Sequence, residues 1–201
     1  MSRLGRLSLR PEGVVFVDEE TQRRQVFELC QRLEEHLAQG ELDEALSCCT
    51  ACRELMSALG ETQGQAMILN NQGLIHVQQG QWDPAMDSFQ EAHRLFALLD
   101  DRQGQARQLE NIGSVHRDQG RYDAALEPYL EALKIFEEIE DFFGLANQYA
   151  NVAYIHIMKS EPLTALEWYH LALPLYERAG HAERAEFTRQ NIAQLEKILG
   201  R

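Results

Sequence analysis

Apolar residues recur at helical spacing along most of this chain, and the arrangement returns every 40 residues without insertion or deletion. Between Gly64 and Gln79 the apolar or small positions Ala66, Leu69, Gly73, Ile75 and Val77 fit a period of about 3.6 better than strict alternation. A second run reaching Leu99 places Ala85, Phe89, Ala92, Leu95 and Phe96 on one face. Gly80 lies between the runs and is suited to stop the first helix, because glycine reaches left-handed φ without a Cβ clash. Asp83 followed by Pro84 reads as an N-cap with proline at the first helical position, and Asp43 and Asp123 occupy the same slot. No stretch of the repeats reads as a sheet-forming strand. The pattern predicts two helices per unit.

Four units account for residues 24–183, divided as 24–63, 64–103, 104–143 and 144–183. An N-terminal tail of 1–23 precedes them, and 184–201 is expected to form a C-terminal capping helix. Ala45, Ala85, Ala125 and Ala165 keep one column, and His36, His76, His116 and His156 keep another. Met56, Phe96, Phe136 and Tyr176 hold a bulky slot, while Gly40, Gly80 and Gly120 are followed by Ser160. A hairpin of this size cannot bury its own apolar face, so neighbours must stack into one continuous core.

The second unit carries Gly73, His76, Gly80, Trp82, Ala85, Phe89 and Ala92, and the third carries Gly113, His116, Gly120, Tyr122, Ala125, Tyr129 and Ala132. These residues resemble the tetratricopeptide repeat. The 40-residue unit is similar to that of spindle-orientation adaptors, kinesin light chains and bacterial sensor-linked repeat proteins. Two departures stand out: Leu69 and Leu109 replace a usual aromatic, and Cys49 and Cys52 fill the Phe and Ala slots of unit one. The resemblance implies an all-α, right-handed superhelix whose first helices line a concave groove. It also implies a non-enzymatic adaptor or scaffold that binds a peptide or partner segment there.

Composition narrows the class. The chain is 44% apolar and 25% charged with a formal charge of −13, which suits a packed protein and argues against a clustered basic face for nucleic acid. Net charge by segment is 0 for the tail, then −5, −3, −5 and −2 for the units and +2 for the last stretch. Asp123, Glu127, Glu131, Glu137 and Glu138 place much of it on second helices, as a solvated outer surface. No run approaches the ~18–20 apolar residues of a membrane helix, and the three Arg within 1–10 precede no apolar run of signal-peptide length. Four cysteines confined to the first quarter do not form a disulfide framework, so a cytoplasmic location is expected.

Asn71, Asn111, Asn151 and Asn191 form the most informative column. Asn is a mediocre helix former, so its return in four helix interiors needs a reason. A row of carboxamides can hold the backbone of an extended peptide, or each can tie its helix to the next repeat. Selectivity would come from Met67, Asn70 and Leu74 in unit two, Arg107, Glu110, Ser114 and Arg117 in unit three, and Ala150, Tyr154, Ile157 and Met158 in unit four. The partner is then a protein or peptide, with no nucleic acid, membrane insertion, cofactor or metal. The alternative is a self-assembling subunit whose groove is filled by its own or a neighbour's tail, with the apolar run 14–17 as the filler.

Three apparent chemical motifs are better read as packing. The His column spaces its members by at least a helix-packing distance of about 8–10 Å, too far apart to share one zinc. Glu167 and His170 give a single Glu-x-x-His where a di-iron bundle needs two. Cys49 and Cys52 have redox spacing but fall in core slots. Phosphate-binding loops, His-Glu-x-x-His and Gly-x-Ser-x-Gly are absent from the sequence.

Overall fold

A computed structural model describes residues 18–200, and among them every regular element is an α-helix. In chain order these are α1 (Glu19–Gln39), α2 (Leu42–Ala58), α3 (Thr62–Gln78), α4 (Trp82–Leu98), α5 (Arg102–Asp118), α6 (Tyr122–Glu138), α7 (Phe142–Met158), α8 (Pro162–Arg178) and α9 (Ala182–Ile198). The helices pair as α1–α2, α3–α4, α5–α6 and α7–α8, each pair stacks on the next, and α9 packs on α8. The apolar run 14–17 lies outside the described residues. Helix α1 takes in residues 19–23, and Asp18 caps it by accepting from the Thr21 amide at 2.9 Å.

The turns behave as the glycine pattern predicts, with Gly80 at φ +69°, and Ser160 adopts the same left-handed geometry at +61° without being glycine. The capping expectation fails. Asp83 lies inside the first turn of α4, which starts at Trp82 with Gln81 as N-cap. Asp43 and Asp123 are likewise one residue inside their helices, where a carboxylate still complements the positive helix end. Their side chains instead reach the C-cap residue of the following first helix: Asp43 accepts from Gln79 at 2.8 Å and Asp123 from Lys159 at 2.7 Å. Side-chain caps do occur at Asp101 and Asp141, whose carboxylates accept from the Gly104 and Gly144 amides at 2.8 and 2.9 Å.

Inside the second, third and fourth hairpins a small residue on the first helix meets a large one on the second. A Cβ added at Gly73 would lie 2.5 Å from the Phe89 ring, and one at Gly113 would lie 2.7 Å from Tyr129. Unit one inverts the sizes: Leu33 on α1 is buried with Cys49 on α2 in the same core cluster. Total volume is roughly kept, so the hairpin closes by a different route.

Candidate partner-binding face

First helices α3, α5 and α7 recur in register, so residues 40 apart form columns across them. One column places Met67, Arg107, Asn147 and Phe187 at the surface, and the next places Leu74, Ser114 and Tyr154 beside it. Met67 is 57% exposed and Phe187 59%, large apolar side chains left in water. Leu74, Tyr154 and Met158 are also exposed. Ile157 and Ala150 are half-buried and pack against the core cluster of Ala153, Ala165 and Leu166. Ala150 nevertheless also lines a hollow on this face.

Two hollows open along these helices. The smaller, about 250 Å³, is lined by Met67, Asn70, Asn71, Arg107 and Gln108 among others. The larger, about 470 Å³, lies among α5, α7, α8 and α9 and gathers Glu110, Ser114, Arg117, Asn151, Tyr154, Tyr169, Arg184 and Phe187. Arg117 pairs with Asp118 at 2.8 Å and sits 6.0 Å from the centre of the Tyr154 ring. Ser114 and the Tyr129 hydroxyl are 3.1 Å apart, and the Tyr176 hydroxyl donates to Asn147 at 2.8 Å. Burial pushes the Tyr169 and Tyr176 hydroxyls up to about 12, so both remain neutral donors.

Beneath this surface runs a ladder of amides between successive first helices. Asn70 Oδ1 accepts from Gln108 Nε2 at 3.1 Å and from Asn111 Nδ2 at 3.0 Å, and Asn70 Nδ2 faces Asn71 Oδ1 at 3.5 Å. One repeat later Glu110 takes the place of Asn70 and accepts from Asn151 Nδ2 at 3.4 Å. Burial raises the Glu110 pKa, while the nearby amides of Asn151 and Gln148 and the guanidinium groups of Arg107 and Arg117 pull it back. Gln148 is fully buried, yet neither of its amide atoms makes a hydrogen bond of ordinary geometry among the described residues. In the next rung Ala150 offers no acceptor, and Asn191 lies beside the Tyr169 hydroxyl. Asn111 and Asn151 therefore each use one N–H to tie repeats together and keep their remaining capacity for other contacts.

Sequence reasoning did not single out Gln108, Gln148, Asn147, Arg184 or Phe187. The column Ile68, Gln108, Gln148, Thr188 carries the signal for the ladder, because an apolar slot turns polar while remaining buried. The His column lies where helix meets turn: Nδ1 of His36, His76 and His156 bonds Glu41, Gln81 and Glu161 at 2.6, 2.8 and 2.6 Å. His116 faces Arg121 at the matching position, and its Nδ1 is buried without a partner among the described residues.

The arrangement has counterparts. The apo crystal structure of RapI superposes with a TM-score of 0.80 at 18% identity, over 88% of this chain and 49% of RapI. Aspartyl phosphate phosphatase F from Bacillus subtilis superposes with a TM-score of 0.75 at 17% identity, over 92% of this chain and 51% of that one. The chain thus spans about half the length of these proteins, and the likeness is one of fold. No curated protein matches it in sequence. The sequence pattern of the tetratricopeptide repeat matches residues 34–97 and 66–138, together more than half of the chain. With the stacked hairpins and their small-to-aromatic contacts, that match makes the chain a member of the tetratricopeptide repeat family.

Proposed function

We propose that the chain is a non-enzymatic interaction module that holds an extended peptide segment along its first-helix face. The observation that carries this reading is the row of exposed apolar side chains, Met67, Leu74, Tyr154, Met158 and Phe187, set among amides and guanidinium groups. Large apolar residues in water at a shared face mark a contact surface more often than chance exposure does. Charge supports the same side: α3 and α7 carry no Asp, Glu, Lys or Arg, whereas α2, α4, α6 and α8 are each net acidic. Backbone contacts would fall to Asn111 and Asn151, and selectivity to Arg107, Arg117 and Tyr154.

The test starts from peptides selected on the immobilised chain out of a displayed random library. Tyr154→Ala and Phe187→Ala remove exposed anchors, so each should lower affinity by about tenfold, on the order of 1.4 kcal/mol, with melting unchanged. Leu171→Ala, an exposed change on α8, should alter neither. Selected peptides that bind all three variants equally would end the reading. Sedimentation across a concentration series separates it from self-assembly, which predicts a mass that grows with concentration.

A further inference from the structure

All four cysteines of the chain fall on the first hairpin, Cys30 on α1 and Cys48, Cys49 and Cys52 on α2. Among the described residues no cluster of His, Cys, Asp or Glu is arranged to hold a metal ion. The Cys49-x-x-Cys52 spacing points to a bond between those two, but both side chains fill core slots at 0% exposure. The contact that does form crosses the helices: Cys30 Sγ and Cys52 Sγ lie 3.9 Å apart, and Cys30 is only partly buried. We propose that Cys30 and Cys52 are an oxidation site at which hydrogen peroxide closes a reversible disulfide, fastening α1 to α2.

The chemistry divides between an entry thiol and a resolving thiol. Burial pushes the Cys49 and Cys52 thiols up to about 12, so neither supplies the first thiolate. Cys30, at the edge of the cluster, is the thiol that water and peroxide can reach. Its thiolate attacks the peroxide O–O bond, takes up one oxygen as a sulfenic acid and releases hydroxide, which leaves as water with the proton of the thiol. The Cys52 sulfur then displaces the sulfenic hydroxyl, the S–S bond forms, and a second water departs with the Cys52 proton. Two thiols have given two electrons, and one peroxide has become two waters. Contact at 3.9 Å makes the second step intramolecular, and the sulfurs need to close to about 2 Å. Oxidation of Cys30 also removes a thiol whose contact and potential negative charge help hold the Cys52 pKa up.

The chain offers a clean assay. Trypsin cuts after Arg24, Arg32 and Arg53, so peptide 25–32 carries Cys30 alone and peptide 33–53 carries the other three cysteines. The full chain is treated with hydrogen peroxide, denatured, alkylated with N-ethylmaleimide and digested without reductant. The expected result is loss of two of the four alkylatable thiols and a linked pair of peptides 25–32 and 33–53. The link should vanish in Cys30→Ser and in Cys52→Ser, survive in Cys48→Ser, and be reversed by dithiothreitol. A bond closed within peptide 33–53 overturns the proposal, as does a Cys30 link between two molecules on a non-reducing gel. So does sulfinic acid at Cys30 with Cys52 still free, or four thiols left unchanged. The map of the unmutated chain decides even if a variant folds poorly.

Discussion

Repeats one and two solve the same packing problem with opposite assignments of size. In repeat two the first helix contributes nothing at Gly73 and the second fills the space with Phe89, which is completely buried. In repeat one the first helix contributes Leu33 and the second recedes to Cys49. Repeat three follows the second with Gly113 under Tyr129, and repeat four pairs Ala153 with Tyr169. The family pattern is therefore a rule about summed volume across a helix pair, not about one residue at one slot. The inversion has a chemical consequence: where the other hairpins bury an aromatic ring, the first buries sulfur.

The largest effects should come from emptying these slots. Phe89→Ala removes a buried ring and should cost about 3–5 kcal/mol, read as a lower midpoint in urea. Cys49→Ala deletes one sulfur and should cost about 1 kcal/mol or less. Equal losses at the two sites would break the comparison. The exchange sharpens it: Gly73→Leu alone overpacks against Phe89 and should cost about 1–3 kcal/mol. Joined to Phe89→Cys it recreates the repeat-one pair, so the double variant should be more stable than the sum of the singles by about 0.5–3 kcal/mol. Additive losses would show that the backbones of the two hairpins differ as well as their side chains.

Much of this is legible in the sequence. The 40-residue period gives the helix count, and the glycine column gives the turns, because both follow from local chemistry repeated without gaps. Asp43, Asp83 and Asp123 read as caps, yet the helices begin two residues before the start that those caps imply, a shift that a capping motif does not resolve. The Asn column stood out, but its inter-repeat bonds did not. Asn70 and Gln108 meet only when two hairpins stack, and nothing in the spacing of either helix states which face the next repeat covers. The Cys30–Cys52 contact is hidden from the sequence for the same reason, whereas the conspicuous Cys49–Cys52 spacing joins two side chains that fill core slots.

The ladder allows a second comparison, between the Asn70 and Glu110 rungs. Both side chains accept from an Asn on the following first helix, but only Glu110 carries a group that ionises. A folded pKa raised above the ordinary carboxylate value of about 4.3 means that the folded chain holds a proton the unfolded chain has released. Stability from this group is complete below about pH 4.3 and is lost as pH climbs through the folded pKa. Glu110→Gln keeps an amide oxygen for Asn151 and removes the buried charge. It should therefore stabilise the chain near neutral pH, on the order of 1 kcal/mol, and give no gain at about pH 4. Denaturant melts at the two pH values check this, and a gain at both would assign the effect to packing.

The smallest predicted effect separates His116 from its three counterparts. His36, His76 and His156 each find an oxygen five residues on, whereas His116 finds Arg121. Burial, aided by the Arg121 charge, lowers the His116 pKa. The unfolded chain then takes up a proton near the ordinary value of about 6.5 that the folded chain still refuses, so stability is full above that pH and drains as pH falls below it. Burial also lowers the His93 pKa, opposed by Glu131, so part of the same slope remains in any His116 variant. Arg121→Glu supplies the oxygen that the other three repeats have and replaces repulsion with attraction. It should raise the His116 pKa and flatten the decline between about pH 7 and about pH 5.5, a window that straddles the ordinary imidazole value. His116→Gln should flatten it to a similar degree, because the amide cannot take up the proton. An imidazole titration followed by NMR reads the pKa directly, and urea midpoints across the window read its effect on stability. An unmoved His116 resonance in Arg121→Glu would show that burial alone sets the value and that the residue five positions on is a bystander.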